Sequence, residues 1–404
     1  MAPRTPRRVC DVDFSRKAHE QQPPLHNRWH PDIPHIAEVQ ENEIFTVEMM
    51  DCAGGAIRND DSVADIEALD LSGGHYLSGP VRVVDESGAP AMPGDILMVE
   101  ICDLGPISGQ EWGFTAILPG FGFLSDRFPN ATKAIWDFEG IFASSRHIPG
   151  VRFPGMVHPG LIGTAPSKEL LEAWNAREKA LVDTSSSPLV AALPTKRNVL
   201  LGTIEEGSPD WERIASEAAR TVPGRENGGN LDIKNLSRGC KVYFPVFVEG
   251  ANLSMGDMHF SQGDGEIAFC GGIEMNGFLT LRCEILRGGM KDYMSPTNLH
   301  AQPFFEIGPI EPRFSDWLVF EGISVDEHGR QHYLDTTLSF KRAVLNAIEY
   351  LSKFGYTREQ IYLLLSCCPC ESRISSIVDF PNAVATIAIP TAIFDQDIKP
   401  KKKR

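Results

Sequence analysis

Apolar residues recur in short alternating runs through most of this chain, and at helical spacing in only four places. Ile44 to Met50, Val81 to Val84, Ile96 to Ile101, Lys241 to Val248, Phe278 to Leu286 and Val384 to Ile389 are rich in β-branched and aromatic residues. That pattern predicts strands. Turn residues precede the early ones: Glu41-Asn42, Gly79-Pro80 and Pro93-Gly94-Asp95. A helix is predicted from Ser167, a good N-cap, to about Val182, with Leu170, Leu171, Trp174 and Leu181 on its apolar face. A second opens at Ser208-Pro209 and runs to about Arg220. A third carries Leu338, Val344, Ile348 and Leu351 and stops at Gly355. The fourth begins with the capping box Thr357-Arg-Glu-Gln360.

These elements predict a β-rich α+β protein, with a sandwich- or barrel-like N-terminal part and a mixed α/β C-terminal part. Residues 1–35 read as an extended arm, 36–183 as a β-rich unit, 184–398 as an α+β unit and 399–404 as a basic tail. Thr184-Ser-Ser-Ser-Pro188 is the polar linker between the two units. Residues 104–166 show little periodicity but carry nine tryptophans and phenylalanines. Irregular short strands with buried aromatics are the plainer reading; a lid over a closed apolar pocket is the other.

Composition narrows the function classes. A net charge of −16 disfavours a nucleic-acid binder, whose affinity comes largely from cationic contacts to phosphate. No apolar run reaches the length of a membrane span, and the basic N-terminus lacks the apolar core of a secretory signal. The nine scattered cysteines read as free thiols of a cytoplasmic protein. Cys370-Glu371 and Lys353 are the members that a thiol-dependent amidase would need, and no Gly-x-Ser-x-Gly elbow occurs.

The chemistry concentrates between Asn227 and Glu266. Gly228-Gly229-Asn230-Leu231-Asp232 precedes the strand Lys241 to Val248, and Gly256-Asp257-Met258-His259 with Gln262-Gly263-Asp264-Gly265-Glu266 follows it. Both clusters are expected on loops braced by that strand. Asp257 and His259 share one face if the segment is extended. Carboxylates with a neutral imidazole suit zinc or a similar divalent ion, so Asp232, Asp257 and His259 are candidate metal ligands. An isolated Asp-x-His is more often structural. Glu266 is a candidate for moving protons between water and a leaving amine; a turn position is its plainer reading. Asp264 reads as a turn former, and Asp51 as a possible neighbour of the site.

The same residues resemble a known family. GGNLD and GDMHFSQGDGE are similar to the acetamidase/formamidase family, as are His26-Asn-Arg-Trp-His30, His158-Pro-Gly-Leu-Ile-Gly-Thr-Ala-Pro and Arg373-Ile374-Ser375 with Val378-Asp379. The resemblance runs from about residue 10 to 398 and is nearest the fungal-type formamidases. It implies hydrolysis of a short amide to formate or acetate and ammonia, in a homo-oligomer. It strengthens Glu266, His259 and Asp257 as catalytic residues. It also lifts His26 as a further ligand of a divalent metal and His158, Asn230 and Gln262 as substrate-binding residues. Aromatic and small residues are expected to close the pocket against longer chains. A non-catalytic protein that binds a small ligand or metal through the same loops is the reading from another class.

Overall fold

The computed structural model describes residues 6–186, 191–294, 301–309 and 312–401. Ser187 and Pro188 of the expected linker, and Lys402 to Arg404 of the basic tail, lie outside the described residues.

Two large sheets dominate. The first has six strands, in the order Arg7–Cys10, Ile44–Met49, Gly277–Leu286, Ile96–Pro106, Lys241–Pro245 and Phe304–Glu306. The second has eleven. Its main path runs Ile148–Pro154, Phe142–Ser145, Thr132–Glu139, Trp112–Ile117, Phe269–Met275, Leu253–His259, His158–Gly163, Gly228–Asn230 and Gly224–Arg225. Ser78–Val84 joins it at Leu253–His259 and carries Ala37–Gln40. One apolar core is shared by both sheets. Phe45, Val99 and Leu279 from the first pack in the same cluster as Val81, Ile162 and Met255 from the second. Strands from either side of residue 184 alternate in both sheets, so the two expected units share one body.

A smaller sheet of Trp317–Ile323, Val384–Pro390 and Glu371–Ser376 packs against the helix Thr336–Leu351 in the C-terminal part. The architecture is thus β-rich α+β, with helices gathered late in the chain. Among the described residues no helix is long and apolar enough to cross a membrane.

The helix signals act as the sequence suggests. Ser167 Oγ accepts the Leu170 N–H, Thr357 and Gln360 form a reciprocal capping box, and Gly355 stands at φ +95°. The helix from Pro209 stops at Glu217, earlier than expected. Its continuation, Ala219–Arg220, instead pairs with Arg28–Trp29 in a two-stranded ribbon.

Two further expectations change. Residues 112–154 form an antiparallel meander, and four of its nine aromatics, Phe114, Phe128, Trp136 and Phe153, are buried in the core. Each polar cluster is only partly a loop: Gly228–Asn230 is a strand, Leu253–His259 is a fully buried strand inside the larger sheet, and Gln262 to Glu266 lie in the loop that follows. In each, glycines and charged residues hide a strand because they are there for the site, not for packing.

Candidate active site

A cavity of about 1240 Å³ opens beside Leu253–His259. Asp232, Asp257, Glu266, Glu274, His75 and Asn230 line it, together with Phe121, Phe123 and Phe269. The expected small closed pocket is therefore replaced by a roomy one. Of the aromatics in residues 104–166, Phe121 and Phe123 alone line it.

The strand pairing brings the two polar clusters together. His158–Gly163 lies between Leu253–His259 and Gly228–Asn230, with His158 opposite His259 and Leu161 opposite Asn230. The chain turns after Asn230, where the Leu231 and Asp232 N–H groups both donate to Gly160 O. Gly160 is the floor of the site. A methyl group there would stand 2.8 Å from Asp232 Oδ1 and 2.9 Å from both Asp257 Oδ2 and His259 Cε1. Only glycine leaves room for these three side chains to converge.

The donors form two adjoining groups. Asp232, His259 and Glu266 each present an atom within 4.8 Å of the others, and so do Cys52, Asp257 and Glu274. His259 Nε2 links them, 2.9 Å from Glu274 Oε2 and 3.4 Å from Asp257 Oδ1. Those approaches lack hydrogen-bond geometry. His259 Nε2, Glu274 Oε2, Asp257 Oδ1 and Asp232 Oδ1 are all buried without a hydrogen-bond partner. Orphaned buried polar atoms are rare in a finished site, and four facing one another are what a cation would satisfy. The donor set, oxygens plus one imidazole nitrogen, fits a divalent ion.

Charge behaves accordingly. Burial pushes Glu266 and Glu274 up to about 7, against the pull of His259. Burial and the neighbouring Glu266 raise Asp232 well above the carboxylate range. Asp257 moves the other way: burial opposes, but His75 and His259 hold it well below its usual range. Burial also opposes charge on His259, yet Glu274 and then Asp257 hold its pKa well above normal.

Backbone geometry marks the same place. His75, Asp232, Asp257 and Glu266 have φ of +44°, +49°, +55° and +41°. Non-glycine residues rarely take such values, and they cluster where function over-determines the fold.

The remaining expected residues are placed as follows. Asn230 lines the cavity; its Nδ2 donates to Asp232 Oδ2 at 3.0 Å, and its Oδ1 has no partner. Gln262 is occupied by protein. Its Oε1 faces His259 Nδ1 at 2.9 Å and its Nε2 donates to Asp232 O at 2.6 Å. It thereby directs His259 Nε2 at the carboxylates, the orienting contact that a candidate ligand would need. His158 is sealed behind it, with Nδ1 2.7 Å from Met156 O and Nε2 3.1 Å from Gln262 Oε1. Burial and His259 push it down to about 3. His26 is outside both donor groups, its nitrogens used by Arg28 O and Ser254 Oγ at 2.9 Å each.

Asp264 accepts the Ser372 N–H and pairs with Lys234. Asp51 caps the Ala53 and Gly55 N–H groups behind the cavity wall. Cys370 is buried, with Sγ donating to Leu365 O, whereas Lys353 is exposed, so no thiol-amidase arrangement exists between them. Sequence reasoning missed Glu274, His75 and Cys52.

The chain matches the model of the Acetamidase/Formamidase family over residues 11–396. A Schizosaccharomyces pombe protein, provisionally named a formamidase, is 51% identical over 411 residues, covering 100% of this chain and 97% of that protein. A formamidase from Methylophilus methylotrophus is 49% identical, covering 97% of this chain and 95% of the relative. Among solved structures, a gamma lactamase from Delftia acidovorans superposes with a TM-score of 0.93 at 48% identity, covering 98% of this chain and 95% of that one. With the family model matched across nearly its whole length, this chain belongs to the acetamidase/formamidase family.

Proposed function

We propose that this protein hydrolyses short amides, formamide first, to the carboxylate and ammonia, with a divalent ion such as zinc held between the two donor groups. The observation that carries the reading is the convergence of Asp232, Asp257, His259, Glu266 and Glu274 on the space above Gly160, with four buried donor atoms unpartnered. Asp232, Asp257 and His259 are the ligands, and Cys52 and Glu274 stand ready beside them. A divalent ion in such a site supplies Lewis acidity and an activated water.

The chain's own residues do the rest. Glu266 Oε1 is fixed by the Gly271 and Gly272 N–H groups at 3.1 and 3.3 Å. At about 7 its carboxyl is poised to take a proton and hand it to the departing amine near neutral pH. Asn230 Oδ1 is free to accept from the substrate NH₂. Gln262 keeps the His259 ring oriented. The protein acts in the cytoplasm, where its nine free cysteines stay reduced, and as a homo-oligomer.

The test is ammonia release from formamide, acetamide and propionamide, alongside elemental analysis of the purified protein. Turnover of formamide with one equivalent of a divalent ion is expected. No release from any of them would favour a non-catalytic binding protein. Active protein without a stoichiometric ion, resistant to strong chelators, would leave these residues to work by hydrogen bonding and general acid–base chemistry.

A second reading has an observation of its own. The cavity of about 1240 Å³ is far larger than formamide requires, and a lactamase shares this fold at 48% identity. Cyclic amides are therefore proposed as additional substrates. A five-membered lactam left intact by enzyme that turns over formamide would remove that extension.

A further inference from the structure

We infer that Arg220 forms a carboxylate-binding subsite on the cavity wall, for the acid released by amide hydrolysis or for a carboxylate carried by the substrate. This rests on the proposed amidase reading for its choice of ligand. Two arginines line the cavity. Arg58 is paired with Asp60 at 3.3 Å. The Arg220 side chain, half-buried, has no hydrogen bond or ion pair among the described residues, and its Nε is buried without a partner. Buried charge is ordinarily paired, because leaving it alone carries a large desolvation penalty.

Its surroundings add to that penalty. Arg220 stands directly opposite Arg28 on the two-stranded ribbon, and like charges facing across strands destabilise a pair. Arg28 is itself buried, and its guanidinium donates only to the carbonyls of Asn27, Ser72 and Arg197. Burial, then the charge of Arg220, pushes it down to about 10. Burial holds the Arg220 pKa below normal although the charge of Glu178 favours it, and the carboxylates nearby are paired with other arginines. Glu178 is held by Arg225, and Glu226 by Arg177 at 2.7 Å. Arg220, with no carboxylate in ion-pair contact and Arg28 behind it, therefore lines a cavity that Asp232, Asp257, Glu266 and Glu274 also line.

That polarity suits an anion produced in the cavity. Amide hydrolysis makes a carboxylate beside four acidic side chains, and the fork of Arg220 is the unpaired cation it meets.

The experiment uses full-length wild type, Arg220→Gln and Arg220→Lys. Formate and acetate binding is read by ligand-observed NMR. Hydrolysis of succinamate is compared with that of neutral butyramide. Arg220→Gln is expected to weaken formate binding by roughly tenfold or more, the scale of a lost charged hydrogen bond, with partial recovery in Arg220→Lys. Unchanged formate binding with a roughly tenfold fall in the succinamate-to-butyramide ratio of kcat/KM would assign the subsite to a substrate carboxylate. No change in either overturns the inference. If Arg220→Gln does not fold, phenylglyoxal labelling of wild type decides: formate must protect Arg220, located by peptide mass, and absence of protection sinks the subsite. Binding and protection need no turnover, so they test Arg220 even if formamide is not hydrolysed.

Discussion

A single buried carboxylate, Asp65, and a cluster of buried carboxylates border the same cavity, and they are finished differently. At one end Lys133 Nζ lies 2.9 and 3.1 Å from the Asp65 oxygens, 3.2 Å from Asp60 and 3.1 Å from Arg58 O. Asp65 also accepts the Arg58 and Ile66 N–H groups. Despite its burial, those N–H groups and Lys133 hold its pKa below the usual carboxylate range. At the other end Asp232, Glu266 and Glu274 are raised, and Asp232 Oδ1 and Glu274 Oε2 have no partner. The chain can satisfy a buried carboxylate with its own cation and does so where the job is structural. At the other end, among the described residues, it supplies no lysine or arginine, only the imidazoles of His259 and His75, and buried oxygens stay without a partner.

Breaking the unfinished cluster is expected to have the largest effect. His259→Ala removes the nitrogen that links the two donor groups, so bound metal and activity are expected to fall together, by about 10³-fold or more in turnover. Elemental analysis beside initial rates checks this; full metal content in a dead enzyme would remove His259 from the ligands. Glu266→Gln keeps size but removes the basic carboxylate. Turnover is expected to drop by roughly 10²–10⁴ with metal retained. Loss of metal as well would make Glu266 a ligand, which its place beside Asp232 and His259 permits.

Lys133→Met inverts the comparison, stripping Asp65 of its cation and leaving it only two N–H groups. A stability loss of about 3–5 kcal/mol in urea is expected, the usual result of stripping one partner from a buried pair, with turnover per folded molecule little changed. Equal loss of activity would mean that the two ends of the cavity are coupled.

The smallest effect belongs to His26, a buried imidazole that the chain does satisfy. Burial pushes its pKa from 6.5 down to about 4. Between those values the unfolded chain takes up a proton that the folded chain refuses. Stability is therefore full above pH 6.5 and is lost as pH falls toward 4, by roughly 3 kcal/mol from this group. His26→Gln should flatten that part of a denaturation-versus-pH curve. An unaltered curve would assign the loss to other groups.

Much of this was legible in the sequence. Ser167, Ser208 and the Thr357–Gln360 box announce helices because capping is local chemistry. Asp232, Asp257 and His259 stand out because polar residues between glycines have few structural uses. Glu274 and His75 were hidden for opposite reasons. Glu274 ends Cys270-Gly-Gly-Ile-Glu, which reads as a strand edge, and only the pairing of Met258 and His259 with Met275 and Glu274 turns it toward His259. His75 lies in a turn, and its approach to Asp257, 3.3 Å away, depends on a contact across 182 residues of chain. The early stop of the helix from Pro209 was likewise invisible, because Arg28–Trp29, far back in the sequence, claims Ala219–Arg220.

The left-handed backbone at His75, Asp232, Asp257 and Glu266 has a consequence for anyone evolving this protein in the laboratory. At each position glycine would relax the conformation, and at the aspartates asparagine would ease it too. A library ranked by heat resistance alone would thus be drawn toward substitutions that erase the donor set. Thermostable variants should be sought with these four codons held fixed, and the best of them will carry their gains in the meander and the C-terminal helices instead.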